Sequence, residues 1–509
     1  MASNYSKNLY DDYEKAQLKL DAILLELCNI KKEHRKELNK ITKEFKKEIS
    51  SLNDTIKDLN NKLDDANKLI EKLKNDNDRL RNQNNKNSSN SSKPSSTDSF
   101  KPKRTGANLY NYRIKSNRKP GGQFGHKGSH LSKKKVDKLI KDNKIEVRVF
   151  EHIIKGDCKK ENTIKYKIGI DIKPYVEKHI FKYDEKVTET LPQEFYTDVT
   201  YNNSIKALSI ELGAYNVISY DRLSDFFNVI TNGVLNISNG TLVNFLSEFS
   251  NKTKLTIENL TNSLLNSKNI NTDETNTKFN GNNMYVRNYS TDDTVVYKVH
   301  SKKGHKPIIE DNILPRFFGG IMADHDTTIY SYTEKRYECN VHLGRYLEEL
   351  IQNISNITWV KQMKEFIFEL NSKRKFLINK GVKSFTSQEI ADFYIKYDDI
   401  VTIGIKENQL IKSSYYKEKA DSLLRRLRKY KENHLYFIKD FEVRFDNNIS
   451  ESDLRMFKIK TKISGGFRSI DSADDYMNTL SIIKTSIKRN INPFESIKAI
   501  FNNEILFQN

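Results

Sequence analysis

The residues best placed to do chemistry lie between Asn269 and Arg345. The stretch opens with INTDETN and continues through two alternating segments, Met284–Ser290 and Thr294–His300. After a polar connector it reaches the compact apolar run GGIMAD. Period-two alternation and a short apolar run predict strand, strand, strand, connector, strand, the last buried on both faces. Asp273 sits in the first strand and Asp324 ends the fourth. If those strands lie side by side, two carboxylates meet, which is how a protein gathers oxygen ligands for a hard divalent cation. Alternation turns Glu274 to the face opposite Asp273. Asp326, just past the strand end, is the stronger rival to Asp324.

Further along, Cys339 and His342 stand three apart in a helical pattern and share a face. They could supply half of a metal site; without further ligands, a buried thiol beside a bonded imidazole is the plainer reading. In NISESDLR, Asn448 and Glu451 have the spacing of a capping box, and Arg455 lies where it could pair with Glu451 on the helix surface. Asp453 is the neighbouring acid.

Two basic segments have the chemistry of phosphate contact. Phe100–Lys135 holds eleven Lys or Arg and no Asp or Glu. Within it RKPGGQFGHKG brings together Arg118, Lys119, Gly121, Gly122, His126 and Lys127. Cations neutralise phosphates, glycines let the backbone approach, and aromatic rings stack on bases. The second segment, Leu423–His434, carries Arg425, Arg426 and Arg428 on a predicted helix, where a solvated face is the alternative.

The elements that must position these groups follow from composition and pattern. With 509 residues the chain is long enough for several domains, and its formal charge of +20 points to a polyanionic partner, most simply nucleic acid. Three scattered cysteines argue against a disulfide framework and for a reducing compartment. No apolar run approaches the roughly 18 residues of a membrane span, and the N-terminus lacks the order of a signal peptide. The expectation is a soluble, cytoplasmic protein with no membrane partner.

Residues 1–84 contain neither proline nor glycine. From Ile56 the apolar positions step by three and four, with Ile, Leu, Ile, Asn at a and Leu, Ala, Leu, Leu at d. That pattern predicts a parallel two-stranded coiled coil, its register fixed by Asn77. Steps of four through Ile41, Phe45 and Ile49 amount to a stutter. A polar linker and the basic arm occupy 85–137. Weak alternation predicts a small β-rich module over 138–195, in which Cys158 alone cannot make a zinc site. Residues 196–265 read as helical; Ser238 can cap a helix there, and two helices around a glycine-containing turn could form a helix-turn-helix. The strands fall in 266–345, a mainly helical stretch in 346–440, and the Glu451 helix with closing helices in 441–509.

Six motifs stand in order: NSSNSSKPSS, RKPGGQFGHKG, DET, GGIMADHD, ECNVHLGRYL and DNNISESDLRMFKIKTKISGGFRS. In these the chain, from about Asn82 onward, resembles the insertion-sequence-66 family of DDE transposases. The resemblance implies an α/β protein with an RNase H-like catalytic core, the long gap between Asp324 and Glu451 being filled by a helical insertion. It implies an acidic triad of Asp273, Asp324 and Glu451 holding two Mg²⁺ (or Mn²⁺) ions. It implies a DNA transposase that cuts at element ends and joins the freed 3′-OH to target DNA. Arg455 and Lys458 would lie close to the DNA near that site. Cys339 and His342 resemble the Cys-x-x-His signature that often follows the second aspartate. Family members often carry a Cys-x-x-Cys zinc module before the core; Cys158 alone in that region argues against zinc. Expected partners are the element's terminal repeats, target DNA, a second copy through the coiled coil, and accessory proteins from the same element. The alternatives are an inactive or domesticated DNA-binding protein, or a coiled-coil protein whose basic body binds nucleic acid.

Overall fold

The computed structural model describes residues 2–87, 90–91, 132–150, 172–182, 195–279 and 282–508, with isolated positions 166, 168, 190 and 192. The chain divides into two compact units, Met1–Asn85 with Ile411–Lys419, and Lys86–Leu410 with Ala420–Asn509.

The first unit is a single helix, α1 (Ala2–Asn85), with one short segment against its end. Asn82 Nδ2 donates to Tyr415 Oη at 2.8 Å and Ser413 Oγ to Asp78 Oδ2 at 2.6 Å. Its helicity follows from the absence of Gly and Pro over 84 residues and its richness in Lys, Leu, Glu and Asn with charges on most faces. The apolar seam through Ile56, Leu59, Leu63, Ile70 and Leu73 is exposed.

The second unit is built on a five-stranded mixed sheet, β1 (Asn269–Phe279), β2 (Asn282–Ser290), β3 (Val295–His300), β4 (Gly320–Ala323) and β5 (Arg336–Glu338), in the order β3-β2-β1-β4-β5. The first three strands form an antiparallel meander, while β4 runs parallel to β1 and β5 parallel to β4. The four strands read from the sequence are present, and the connector contains α7 (His305–Asp311). β5 was not anticipated: at three residues it is too short to show alternation. The start of β4 is crowded. A Cβ on Gly319 would run into the Lys268 carbonyl and the Phe317 ring, so only glycine lets the chain pass there.

Four consecutive helices lead into the sheet: α3 (Asn203–Ile210, continuing as a π-turn), α4 (Tyr220–Ile230), α5 (Asn239–Lys252) and α6 (Lys254–Leu265). Ser238 caps α5 as expected, accepting from Thr241 N. The α4–α5 pair does not have the form of a helix-turn-helix. Its connector, residues 231–238, exceeds the usual turn of about three to four residues. Its apolar faces (Leu223, Phe227, Leu242, Phe249) are consumed by the main core.

After β5 the chain is helical through α8 (Asn340–Asn353), α9 (Trp359–Ile378), α10 (Ser387–Asn408), α11 (Ser414–Lys429) and α12 (Lys431–Lys439). Then come α13 (Asn448–Ser464), α14 (Ile470–Lys488) and α15 (Pro493–Phe501). α14 covers the edge strand β3: Ser481 Oγ and Thr485 Oγ1 accept from Tyr297 N and Val295 N, each at 3.1 Å. An edge strand left open would offer unpaired amides to another chain. α13 packs on β1 and β2, buries Leu454 and Phe457 in the core, and accepts from the Tyr297 hydroxyl at Asp453 O, 2.9 Å away.

The segment expected as a β-rich module starts instead inside a helix, α2 (Lys133–Lys141), and its described residues carry no strand. Cys158 and the arm residues Arg118, Lys119, Gly121, Gly122, His126 and Lys127 lie outside the described residues. Among the described residues, no helix is long and apolar enough to cross a membrane.

Candidate active site

The two aspartates owe their meeting to the parallel pairing of β1 and β4. Asn271 is opposite Met322, so two residues further on Asp273 and Asp324 stand level, Asp324 just past the end of β4 and Asp273 within β1 where its pairing with β4 stops. That end of a parallel pair opens a crevice, lined here by Asp273, Asp324, His325, Asp326, Thr328 and Lys303. Each aspartate spends one oxygen on the backbone amide that follows it. Asp273 Oδ1 accepts from Glu274 N, and Asp324 Oδ1 from His325 N, both at 2.8 Å.

Glu451 comes from the first turn of α13, and His342 stands between it and Asp324. His342 Nε2 is 3.5 Å from Asp324 Oδ2, and His342 Nδ1 is 3.7 Å from Glu451 Oε1. Arg345 adds a contact of 4.0 Å to Glu451 Oε2 and one of 3.0 Å to His342 Nε2. Burial lifts the Asp273 carboxyl to about 6; its Glu274 amide bond and Lys458 oppose the rise, and Glu451 and Asp324 add to it. Burial also depresses the His342 imidazole, against the pull of Asp324 and Glu451, and raises the Cys339 thiol. Cys339 is the N-cap of α8 and His342 lies in its first turn, so the expected shared face is realised. Cys339, His342 and Glu451 each offer a ligand atom within 4.8 Å of the others.

The rival acids have other partners. Glu274, on the far face from Asp273, pairs with Arg287 at 3.0 Å and Lys303 at 2.9 Å. Asp326 pairs with Arg287 at 3.2 Å and caps the 3-10 turn Thr327–Ser331. Asp453 is buried against Lys488 at 2.7 Å.

The capping box is a correction. The N-cap of α13 is Asn447, with no side-chain cap bond, and among the described residues Glu451 makes no ion pair with Arg455. Glu451 faces His342 and Arg345 instead, while Arg455 and Lys458 lie exposed along the same helix face. Arg426 is corrected as well. Its side chain is 12% exposed and bonds Glu338 Oε2 at 2.8 Å, so it is spent on an internal ion pair rather than offered to phosphate. Arg425 and Arg428 are exposed.

What holds the three acids in place is a set of buried asparagines that sequence reasoning missed. Asn447 Nδ2 donates to Thr272 O at 2.8 Å, its Oδ1 accepts from Asn271 at 2.8 Å, and its backbone N–H reaches Cys339 Sγ at 3.3 Å. Asn288 Oδ1 accepts from Asp273 N at 3.1 Å and from Ser450 Oγ at 2.6 Å. Asn340 joins α8 to α12 through His434 O at 2.9 Å. One further polar cluster braces the Asp324 loop. Glu338, at the end of β5, takes His325 Nδ1 at 2.8 Å, Arg426, and the Tyr330 hydroxyl. Burial would raise the Glu338 carboxyl, but its His325 bond, His434 and Arg426 outweigh that and hold it near 2.

The chain thus sets two aspartates beside one another at a crevice that Lys303 also lines. Over residues 199–475, more than half of the chain, it matches the sequence model of the Transposase IS66 family, and the chain belongs to that family. Residues 29–132 match a Family of unknown function (DUF6444). A comparison with curated proteins gave no match. A transposase is an enzyme that modifies nucleic acid, and the chain's formal charge of +20 suits such a polyanionic substrate.

Proposed function

We propose that this transposase cuts DNA at the ends of its insertion sequence and joins the freed 3′-OH to target DNA. Asp273, Asp324 and Glu451 are its catalytic acids and the frame is RNase H-like. The sheet order β3-β2-β1-β4-β5 and the arrival of the third acid on a helix after a long helical insertion support that frame. The observation that carries the reading is the level alignment of Asp273 and Asp324 on β1 and β4, with Glu451 reaching them across His342.

The donor set fits hard cations. Asp273 and Asp324 line one crevice, Glu451 is close enough to act on Asp273, and the lifted Asp273 carboxyl is what burial and like charge produce. Asp273, Asp324 and Glu451 would hold two Mg²⁺ or Mn²⁺ ions, which when bound activate the attacking oxygen and stabilise the leaving one. The chain's own groups do the rest. The asparagine network fixes the spacing of the acids. Arg455 and Lys458 bind phosphates beside the scissile bond, with Arg425 and Arg428 further along the strand and the basic arm Arg118–Lys127 on the duplex. α1 pairs with a second copy and so brings two element ends together. The protein works in the cytoplasm on the nucleoid, with accessory proteins of the same element as further partners.

The test is calorimetric Mn²⁺ titration beside an end-cleavage and joining assay, on the parent and on Asp324→Ala. Loss of both Mn²⁺ binding and cleavage is expected. Full cleavage by Asp324→Ala would falsify the assignment; DNA binding without any acid-dependent Mn²⁺ site would identify an inactive DNA-binding protein.

A further inference from the structure

At the N-terminus of α8 three donor types converge that a purely oxygen-lined site does not require. Cys339, His342 and Glu451 each present a ligand atom within 4.8 Å of the others. His342 is 5% exposed, and its buried Nδ1 has no hydrogen-bond partner while facing Glu451 Oε1 at 3.7 Å. Arg345 donates to Nε2, so the neutral ring carries its hydrogen on Nδ1, which meets no hydrogen-bond partner; buried polar atoms are nearly always partnered, and an ion taking the place of that hydrogen would supply the missing contact. Hard cations bind such a thiol poorly; Cys, His and carboxylate together are the donors of zinc-like ions.

We infer that Cys339, His342 and Glu451 form a second cation site, selective for a thiophilic divalent ion of the zinc class, which shares Glu451 with the acid triad. The sharing rests on the catalytic reading above; the site itself does not.

Bonds of about 2.3 Å to sulfur and 2.0–2.1 Å to nitrogen set tetrahedral donors roughly 3.5 Å apart. Closure therefore takes side-chain shifts of about 1 Å. Glu451 is 25% exposed, which gives the ion a way in and leaves a position for water. Binding releases the Cys339 thiol proton to solvent and requires the tautomer with hydrogen on Nε2. That hydrogen faces Asp324 Oδ2 at 3.5 Å, the carboxylate–histidine–metal arrangement that orients a ligating imidazole. Arg345 opposes the ion, because its guanidinium holds His342 Nε2 at 3.0 Å and Glu451 at 4.0 Å and must release both. An ion seated here draws a Glu451 oxygen away from Asp273 and Asp324, so soft and hard cations antagonise each other.

The experiment uses the full chain with Cys28→Ser and Cys158→Ser, which leaves Cys339 as the one thiol. Co²⁺ is titrated without Mg²⁺ or Mn²⁺, following thiolate-to-cobalt charge-transfer absorption. The band should saturate at stoichiometric cobalt, disappear on adding Zn²⁺, persist in Asp273→Asn and be absent in Cys339→Ser. Arg345→Gln should tighten binding severalfold, and His342→Ala should weaken it by at least ~10-fold, the scale of lost metal-site support. A parent without the band, or a band that survives Cys339→Ser, overturns the site. If Cys339→Ser does not fold, His342→Ala decides: unchanged cobalt affinity overturns it. Saturating Mn²⁺ should raise the apparent Zn²⁺ dissociation constant. A cobalt band indifferent to Mn²⁺ keeps the site and overturns the sharing, whereas Mn²⁺ binding with no thiolate band keeps the triad and overturns the site.

Discussion

Asp273 carries a charge that its surroundings disfavour. Its carboxyl sits at about 6 because burial and two neighbouring acids disfavour its charge. An unfolded Asp titrates near 3.9, so between about pH 4 and 6 the folded protein binds the extra proton. Stability is therefore lost as pH rises through that window, and above it the buried charge is a penalty on the order of 2–3 kcal/mol. Asp273→Asn should thus raise the melting temperature of the metal-free protein at pH 7, with the gain vanishing towards pH 4. Mn²⁺ should stabilise the parent and not the variant. Thermal melts at the two pH values, with and without Mn²⁺, check this; equal melting temperatures at pH 7 would sink it. Asn447 acts in the opposite sense. Asn447→Ala leaves the Thr272 carbonyl and the Asn271 amide buried without that partner, at about 1–3 kcal/mol, read by denaturant unfolding. The aspartates were legible because strand alternation marks position two by two. The asparagines were not, since a buried amide and a surface amide look alike in an asparagine-rich chain.

At the scale of elements, the meander and β4 could be read because each carries its own pattern, while β5 and the inward turn of Arg426 depend on partners distant in sequence. Arg426 lies three residues after Leu423 and one before Leu427, both buried, so it shares the edge of the core face; Arg425 and Arg428 lie on the other. A basic run alone does not show which of its cations will find a buried acid. Glu338 is that acid, and its depressed carboxyl has a pH signature. Its contribution is present above the unfolded Glu value near 4.3 and is lost as pH falls from there towards about 2. Glu338→Gln leaves Arg426 and His325 facing a neutral amide, so it should destabilise by about 3 kcal/mol at pH 7, as removal of one buried partner does. The loss should shrink below pH 4. A variant as stable as its parent at pH 7 would show that the pair is not structurally needed. The glycine at the head of β4 is equally local: Gly319→Ala must push the Lys268 carbonyl and Phe317 aside, at about 1–3 kcal/mol, measured by urea unfolding.

At the scale of the whole molecule the deciding feature is α1. Eighty-four residues at about 1.5 Å each make a helix of roughly 125 Å. A helix draws most of its stability from burying an apolar face, yet Ile56 is 55%, Leu63 59% and Ile70 48% exposed. They share one seam with Leu59 and Leu73, at heptad spacing, with Asn77 at the next a position. The occupant proposed for that seam is the α1 of a second copy. The full chain should then sediment as a dimer, and Leu63→Glu with Ile70→Glu should make it a monomer, because each places a charge in a seam built for branched side chains. The crevice lies in the other unit, so Mn²⁺ binding by the acids should survive the double substitution while joining of paired ends is lost. Asn77→Ile should have a different effect. Removing the one polar a residue strengthens association and relaxes the choice of two strands, so species larger than a dimer should appear in sedimentation velocity. A parent that sediments as a monomer at micromolar concentration would remove the coiled coil from the mechanism and leave the seam to another partner.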